Sequence, residues 1–268
     1  MNKLLLPLLL SSSLLLANEN SELTKKEIQE AQAQIKALTA KIKKLKATLP
    51  LDEGIKTHTE FGYLRTGGNT DTQDMNLEAT LKKRWGRHQA SLHVDGQYGT
   101  NDGVESKNRL FVELGYNYRF AKKTSFTYIA GYKNDKFSDY NYQFYTGPGL
   151  KYNALKSNKQ TLDVASSILY SQDDKKGASN ARQYTSYFLR GVYNLEILTN
   201  LKFNQDFTYR ASLDDYSNYF INSKSALTSK LTDIFSAGLS YKVDYANKIK
   251  RPVKHTDNTL TLNLIADY

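Results

Sequence analysis

From Glu53 onward, apolar and polar residues alternate along the chain. The clearest run reads Ala-Ser-Leu-His-Val-Asp from Ala90 to Asp95, and the same alternation continues through 107–120, 198–210 and 234–246. A period of two is typical of β-strands that have one apolar and one polar face. Strands of soluble sheets usually have about five or six residues, whereas these runs are about twice as long. The pattern therefore predicts an all-β fold with unusually long strands.

Twelve strands are predicted, and their connections alternate in kind. The strands are 56–66, 73–85, 88–99, 107–120, 124–134, 142–153, 160–172, 183–195, 198–210, 219–231, 234–246 and 257–268. Short turns include Glu196-Ile197, and the longer polar loops are 99–106, 134–141, 171–182, 211–218 and 247–256. Short turns on one rim, long loops on the other and an even strand number are typical of a transmembrane antiparallel up-and-down β-barrel.

Composition changes this picture only in part. The chain has 268 residues, no cysteine and a net charge of +10, and its mean hydropathy of −0.60 is that of a soluble basic protein. These values exclude a polytopic helical membrane protein and a disulfide scaffold. The 20 tyrosines fit aromatic belts at two membrane interfaces. A soluble lipocalin-like barrel or sandwich is the alternative, but such folds rarely need strands of this length.

Two segments precede the predicted barrel, which is assigned to residues 53–268. Residues 1–17 have one early Lys, an apolar stretch and a small residue at Ala17, which is typical of a signal peptide. Residues 18–52 are predicted to be a periplasmic helix. Its apolar residues recur with heptad spacing and form a predicted helix seam of Ile28, Ala31, Ile35, Leu38, Ile42 and Leu45. Residues 21–49 therefore either self-associate as a coiled coil or bind an envelope partner, or they form a single amphipathic helix.

The last strand carries a second signal. Apolar residues alternate up to an aromatic residue at the end of the sequence: Leu260, Leu262, Leu264, Ala266 and Tyr268. This pattern resembles the terminal signal that the barrel-assembly machinery of the outer membrane reads. The sequence thus predicts the outer membrane of a Gram-negative bacterium as the location, with outer-membrane lipids and lipopolysaccharide around the barrel.

Three short motifs support a family resemblance. They are Gly67-Gly68-Asn69-Thr70-Asp71-Thr72, Thr146-Gly147-Pro148-Gly149-Leu150 and Thr256-Asp257-Asn258-Thr259. Over about 57–268 the chain resembles the salt-induced outer-membrane protein family (YdiY-like). The resemblance implies an outer-membrane β-barrel and no established activity. Residues 21–49 lie outside the family pattern.

Enzymatic chemistry finds little support in the sequence. Ser91, His93 and Asp95 share one strand face, and these residue types are those of a Ser-His-Asp triad. Residues two apart on a strand are separated by about 7 Å, and these three are predicted to face the lumen rather than lipid. No phosphate loop, dinucleotide fingerprint or zinc motif is present. We therefore predict no catalytic residues, no cofactor and no metal, and keep an outer-membrane hydrolase as a remote alternative.

The inward rows carry the remaining candidate chemistry. They place charged side chains of both signs in the lumen: Glu60, Glu78, Asp95, Glu113, Arg190, Lys202, Asp206, Lys224 and Lys242. Charges enclosed in a barrel must be hydrated or paired. The first hypothesis is a narrow channel for small hydrophilic solutes with a slight preference for anions. The alternative is a structural barrel. Its lumen is closed by cross-lumen ion pairs, and the periplasmic helix tethers it. The net positive charge could also indicate a nucleic-acid partner, but the predicted signal peptide means that the chain is exported, which argues against nucleic acid.

Overall fold

The computed structural model describes residues 25–26, 28–41, 52–68, 71–249 and 254–268. Residues 25–26 and 28–41 are helical and exposed, including the seam residues Ile28, Ala31, Ile35 and Leu38. The remaining seam residues Ile42 and Leu45 lie outside the described residues, as does the predicted signal peptide 1–17. Within the described residues, no helix is long and apolar enough to cross a membrane.

Residues Asp52–Tyr268 form one compact unit, a closed barrel of twelve antiparallel strands. The strands are β1 (Asp52–Thr66), β2 (Thr72–Trp85), β3 (His88–Asn101), β4 (Val104–Arg119), β5 (Thr124–Asp135), β6 (Tyr140–Lys156), β7 (Gln160–Lys175), β8 (Arg182–Leu198), β9 (Leu201–Ser212), β10 (Tyr219–Lys230), β11 (Phe235–Ala246) and β12 (Thr256–Asp267). Each strand pairs with its neighbours in sequence, and β12 pairs with β1. The predicted fold class, strand number and order are confirmed.

The two ends of the barrel differ, as expected. One rim, which we call the turn rim, carries the connections after β2, β4, β6, β8 and β10. The first residues of β1 and the last residue of β12 lie on the same rim. The connections after β1, β3, β5, β7, β9 and β11 lie on the opposite rim, called the loop rim. Several strands extend farther toward the loop rim than predicted, and β7 continues to Lys175.

Two predicted connections are wrong. The residues 99–106 do not form a long loop, because β3 and β4 are joined at Asp102-Gly103. Both residues have positive φ, 49° and 77°, as a type I′ hairpin turn requires. The turn predicted at Glu196-Ile197 lies instead at 199–200, since an irregularity in the β8–β9 register between Glu196 and Leu198 lets β8 continue to Leu198.

The barrel inverts the usual distribution of polarity. Outward positions carry exposed apolar side chains, and Leu114 and Leu262 are 56% and 76% exposed. The buried side chains are mostly polar or charged and include Glu60, Asp95 and Arg210. An apolar outer wall around a polar interior is the arrangement that a transmembrane barrel needs in lipid.

The contact between β1 and β12 closes the cylinder. Cα pairs run from His58 opposite Asp267 to Phe61 opposite Leu264. Tyr268 extends the pairing, because its backbone N–H donates to the Thr57 carbonyl at 3.0 Å and its carbonyl accepts from the Thr57 N–H at 2.6 Å. The C-terminal residue thus takes part in closure. Its role as an assembly signal stays a prediction.

Candidate solute pathway in the barrel lumen

The register of the first three strands brings carboxylates together inside the barrel. Glu60 on β1 lies opposite Glu78 on β2, and Glu78 lies opposite Asp95 on β3. Like charges directly opposite on neighbouring strands repel each other. This row of three carboxylates, which we call the acidic ladder, therefore needs cations nearby.

Those cations come from β10 and β11, which lie beyond β12 in the order of strands around the barrel. Lys224 on β10 lies directly opposite Lys242 on β11. Lys224 Nζ lies 2.7 Å from Glu60 and 2.9 Å from Glu78. Lys242 Nζ lies 2.8 Å from Glu78 and 2.7 Å from Asp95. Each lysine thus bridges two carboxylates across the lumen, and Glu78 accepts from both lysines.

Two further groups extend this network toward the loop rim. Arg109 on β4 forms an ion pair with Asp244 on β11 and lies 3.9 Å from Asp95. The side-chain amide of Asn222 also donates to Asp244. The chain of contacts therefore runs unbroken from Glu60 to Asp244 and joins strands on opposite sides of the barrel.

A second cluster centres on Arg190 of β8. Its Nη1 donates to Glu113 on β4 at 2.7 Å, and its Nη2 donates to Asp206 on β9 at 2.6 Å. The Tyr145 hydroxyl donates to the other oxygen of Glu113 at 2.6 Å. Arg190 thus reaches across the lumen to Glu113 while it also pairs with Asp206 on the neighbouring strand β9, and its planar guanidinium keeps its charge in both contacts.

A third cluster lies between β7, β8, β9 and β10. Arg210 is buried and lies 3.4 Å from Asp173, which also accepts from the Tyr184 hydroxyl at 2.6 Å. The guanidinium carbon of Arg210 lies 4.5 Å from the centre of the Phe220 ring, within cation–π range. This side of the lumen is consequently filled by packed, paired side chains.

Cavities lie toward both rims in the described part of the interior. The loop-rim cavity has an empty volume of about 1380 Å³, including space open to solvent. Loop residues such as Asp139 and Lys254 line it, as do Lys242 and Arg190 deeper in the lumen. The turn-rim pocket has an empty volume of about 880 Å³, counted in the same way. Its charged lining residues are Arg84, Arg87, Arg119, Lys151, Lys156 and Asp163.

Eight of the nine predicted lumen charges belong to these networks. Glu60, Glu78, Asp95, Lys224 and Lys242 meet in the first. Glu113, Arg190 and Asp206 meet in the second. Lys202 differs, since it lies near the turn-rim end of β9 and is exposed. The structure does not bring it to the other eight.

The site also contains groups that the candidate set omitted. Arg109, Asp244 and Arg210 lie on the predicted inward rows, so the alternation of apolar and polar residues already predicts that their side chains face the lumen. Asp173 lies in a predicted loop, because the sequence predicts that its strand ends at 172, whereas β7 continues to Lys175. Tyr145 and Tyr184 had no charge to mark them, and only their partners identify their role.

The Ser-His-Asp alternative does not assemble. Ser91 Oγ lies 3.5 Å from the Gly115 carbonyl, and His93 Nδ1 lies 2.9 Å from the Thr80 hydroxyl. Asp95 is engaged by Lys242. In the described part of the chain, no group of three or more His, Asp or Glu side chains is placed to hold a metal ion.

The fold and the lumen together define the class: a closed twelve-stranded barrel with an apolar outer wall and an ion-paired interior. The chain belongs to the family described as "Protein of unknown function, DUF481", whose model matches residues 59–268. The narrower resemblance to salt-induced outer-membrane proteins stays a prediction. No curated protein matches the sequence.

Several solved structures are similar to this chain. The NanC porin is 11% identical, with a TM-score of 0.49, over 80% of this chain and 99% of that chain. The KdgM porin is 13% identical, with a TM-score of 0.41, over 80% and 98%. The translocator domain of the autotransporter NalP from Neisseria meningitidis is 10% identical, with a TM-score of 0.40, over 90% and 97%.

Proposed function

We propose that the protein is an integral outer-membrane β-barrel of a Gram-negative bacterium that forms a narrow channel for small hydrophilic solutes. The observation that carries this proposal is a charged lumen with a cavity toward each rim, enclosed by an apolar wall. Water and charged side chains inside such a wall are typical of channels. The turn rim faces the periplasm in this proposal, together with residues 18–52.

The cross-lumen ion pairs supply the constriction. They join β8, β10 and β11 to β1–β4, so a solute must pass beside them or displace them. We therefore expect a small unitary conductance. The slight preference for anions is the prediction made from the sequence.

Planar-bilayer recording tests the proposal. The protein refolded into a lipid bilayer should produce discrete unitary currents in KCl, and a salt gradient should give a reversal potential on the anion-selective side. A heat-dependent shift of the band in SDS gels should accompany the currents and would show that the barrel is folded. Folded protein that produces no unitary current would contradict the channel.

A closed, structural barrel is the second candidate, and the unbroken network from Glu60 to Asp244 favours it. In this case the interior ion pairs fill the lumen, and the segment 21–49 tethers the barrel to an envelope partner. Deletion of 21–49 should then abolish co-purification of that partner while leaving the heat-shifted band unchanged. Unchanged co-purification and oligomeric state after the deletion would contradict the tether.

A further inference from the structure

The turn-rim pocket carries a strong imbalance of charge. Among the described residues that line it, five are cationic and only Asp163 is acidic. Most of these side chains lie on inward rows near the ends of β2 to β7, so the pocket opens within the ring of strands. It is separate from the three ion-paired clusters, and none of its charged residues takes part in them.

The one carboxylate is already neutralised. Lys151 Nζ lies 2.8 Å from Asp163, and the Asn153 amide also donates to Asp163. Arg87, Arg119 and Lys156 make no ion pair with any carboxylate in the described part of the chain. Among the described residues, no carboxylate therefore neutralises these three cations, which line a concave surface at the turn rim.

Such an arrangement suits an anion with more than one charge. Guanidinium groups match the oxygen pairs of phosphate and carboxylate with two parallel hydrogen bonds, and lysine adds a mobile point charge. A concave site lined by charges of one sign also concentrates the field that attracts the ligand. The pocket contains few apolar groups, of which Leu155 is one, so it does not suit an apolar ligand.

We propose that the turn-rim pocket is a binding site for phosphate-bearing anions, with Arg87, Arg119 and Lys156 as its principal ligands. The site acts from the mouth of the barrel and does not require that the barrel conducts. A soluble phosphate ester and the phosphate of an anionic lipid present the same chemistry. The opening inside the strand ring favours the soluble form.

Calorimetric titration with pyrophosphate tests the site. The full chain is folded in nanodiscs of zwitterionic phosphatidylcholine and compared with the triple variant Arg87→Gln, Arg119→Gln and Lys156→Gln. Wild type should bind saturably and more weakly as NaCl rises. The variant should bind at least about tenfold more weakly, because each exposed charge contributes a modest amount and three are removed.

A matched variant controls for the loss of charge. Lys83, Lys122 and Lys159 are exposed near the same rim and do not line the pocket. Lys83→Gln, Lys122→Gln and Lys159→Gln together should change the affinity by less than about twofold, since only their long-range field is lost. The heat-shifted band in SDS gels checks that both variants fold.

The single tryptophan offers an independent reading. The Trp85 ring stacks on His88 with centroids 5.7 Å apart, and His88 lines the pocket. The fluorescence of Trp85 should change when pyrophosphate is added to wild type and should not change in the triple variant. Absence of saturable binding by wild type, or equal weakening in both variants, would overturn the proposal.

Lipid composition separates the two sources of phosphate. If the soluble anion is the ligand, wild type should bind pyrophosphate in phosphatidylglycerol nanodiscs as well as in phosphatidylcholine nanodiscs, apart from a modest loss through surface charge. Binding that disappears only in phosphatidylglycerol would assign the same site to a lipid phosphate. A barrel that binds pyrophosphate without conducting would refute the proposed channel and leave this site in place.

Discussion

Glu78 is the central carboxylate of the acidic ladder and accepts from both bridging lysines, so its removal should weaken the barrel. Its two oxygens accept separately from Lys224 at 2.9 Å and from Lys242 at 2.8 Å. The variant Glu78→Gln keeps the shape of the side chain and removes its charge. We expect it to fold into the same barrel with a lower free energy of unfolding.

The magnitude follows from what each lysine retains. Breaking a buried ion pair by removing one partner costs about 3–5 kcal/mol, because the remaining charge stays desolvated. Here Lys224 keeps Glu60 and Lys242 keeps Asp95. The variant also relieves repulsion within the acidic ladder. We therefore expect the free energy of unfolding to fall by about 2–3 kcal/mol, which is at or just below the lower end of the range for a broken buried pair.

Urea unfolding of the barrel refolded in lipid vesicles measures this loss, with Trp85 fluorescence as the signal. Asp233→Asn is the matched control, since Asp233 forms an ion pair with Lys230 at 2.9 Å but its side chain is fully exposed. The control should unfold at the same urea concentration as wild type. A double-mutant cycle with Lys242→Gln should give a coupling of about 1 kcal/mol or more. Equal stability of Glu78→Gln and wild type would refute the cross-lumen pairing.

Three other changes test separate parts of the structure. Gly147→Ala should lower the free energy of unfolding by about 1–3 kcal/mol, because its Cβ would overlap the backbone of β7. Gly191→Ala, whose Cβ would meet nothing within 4 Å, should unfold in urea like wild type. On the loop rim, hydrogen bonds from Lys248 hold the pKa of Asp215 below its usual range, so this contact is present above about pH 4 and is lost as the pH falls further. Pepsin should therefore cut the loops of Asp215→Asn more readily than those of wild type at pH 4, and equal resistance of both proteins at pH 4 would contradict the contact. Esterase assays should give no activity above background for wild type or Ser91→Ala, and activity that the substitution abolishes would restore the hydrolase.

The strands were predictable because lipid and water impose a simple rule on each residue. A strand that crosses a membrane must present an apolar side chain at every second position, so the alternation shows directly in the sequence. The alternation predicts less at the strand ends and connections, where this rule no longer applies. The continuation of β7 to Lys175 and the hairpin at Asp102-Gly103 depend on local pairing and turn geometry instead.

The partners of the lumen charges could not be predicted in the same way. Alternation indicates that Glu78 and Lys242 both face inward, but they are 164 residues apart in sequence. Their contact depends on how the strands are staggered when β12 meets β1. The third cluster shows the same limit, because Tyr184 donates to Asp173 only after β7 and β8 have paired.

The central claim is that cross-lumen ion pairs constrict a conducting lumen. The most direct test is the unitary conductance of the double variant Glu78→Ser with Lys242→Ser. The two substitutions together leave the net charge unchanged. Lys224 keeps its contact with Glu60, and Asp95 keeps its contact with Arg109. The matched control is Lys230→Ser with Asp233→Ser, an ion pair at the turn rim. We predict larger unitary currents for the lumen variant than for wild type and unchanged currents for the control. Equal conductance of all three folded proteins would contradict the claim.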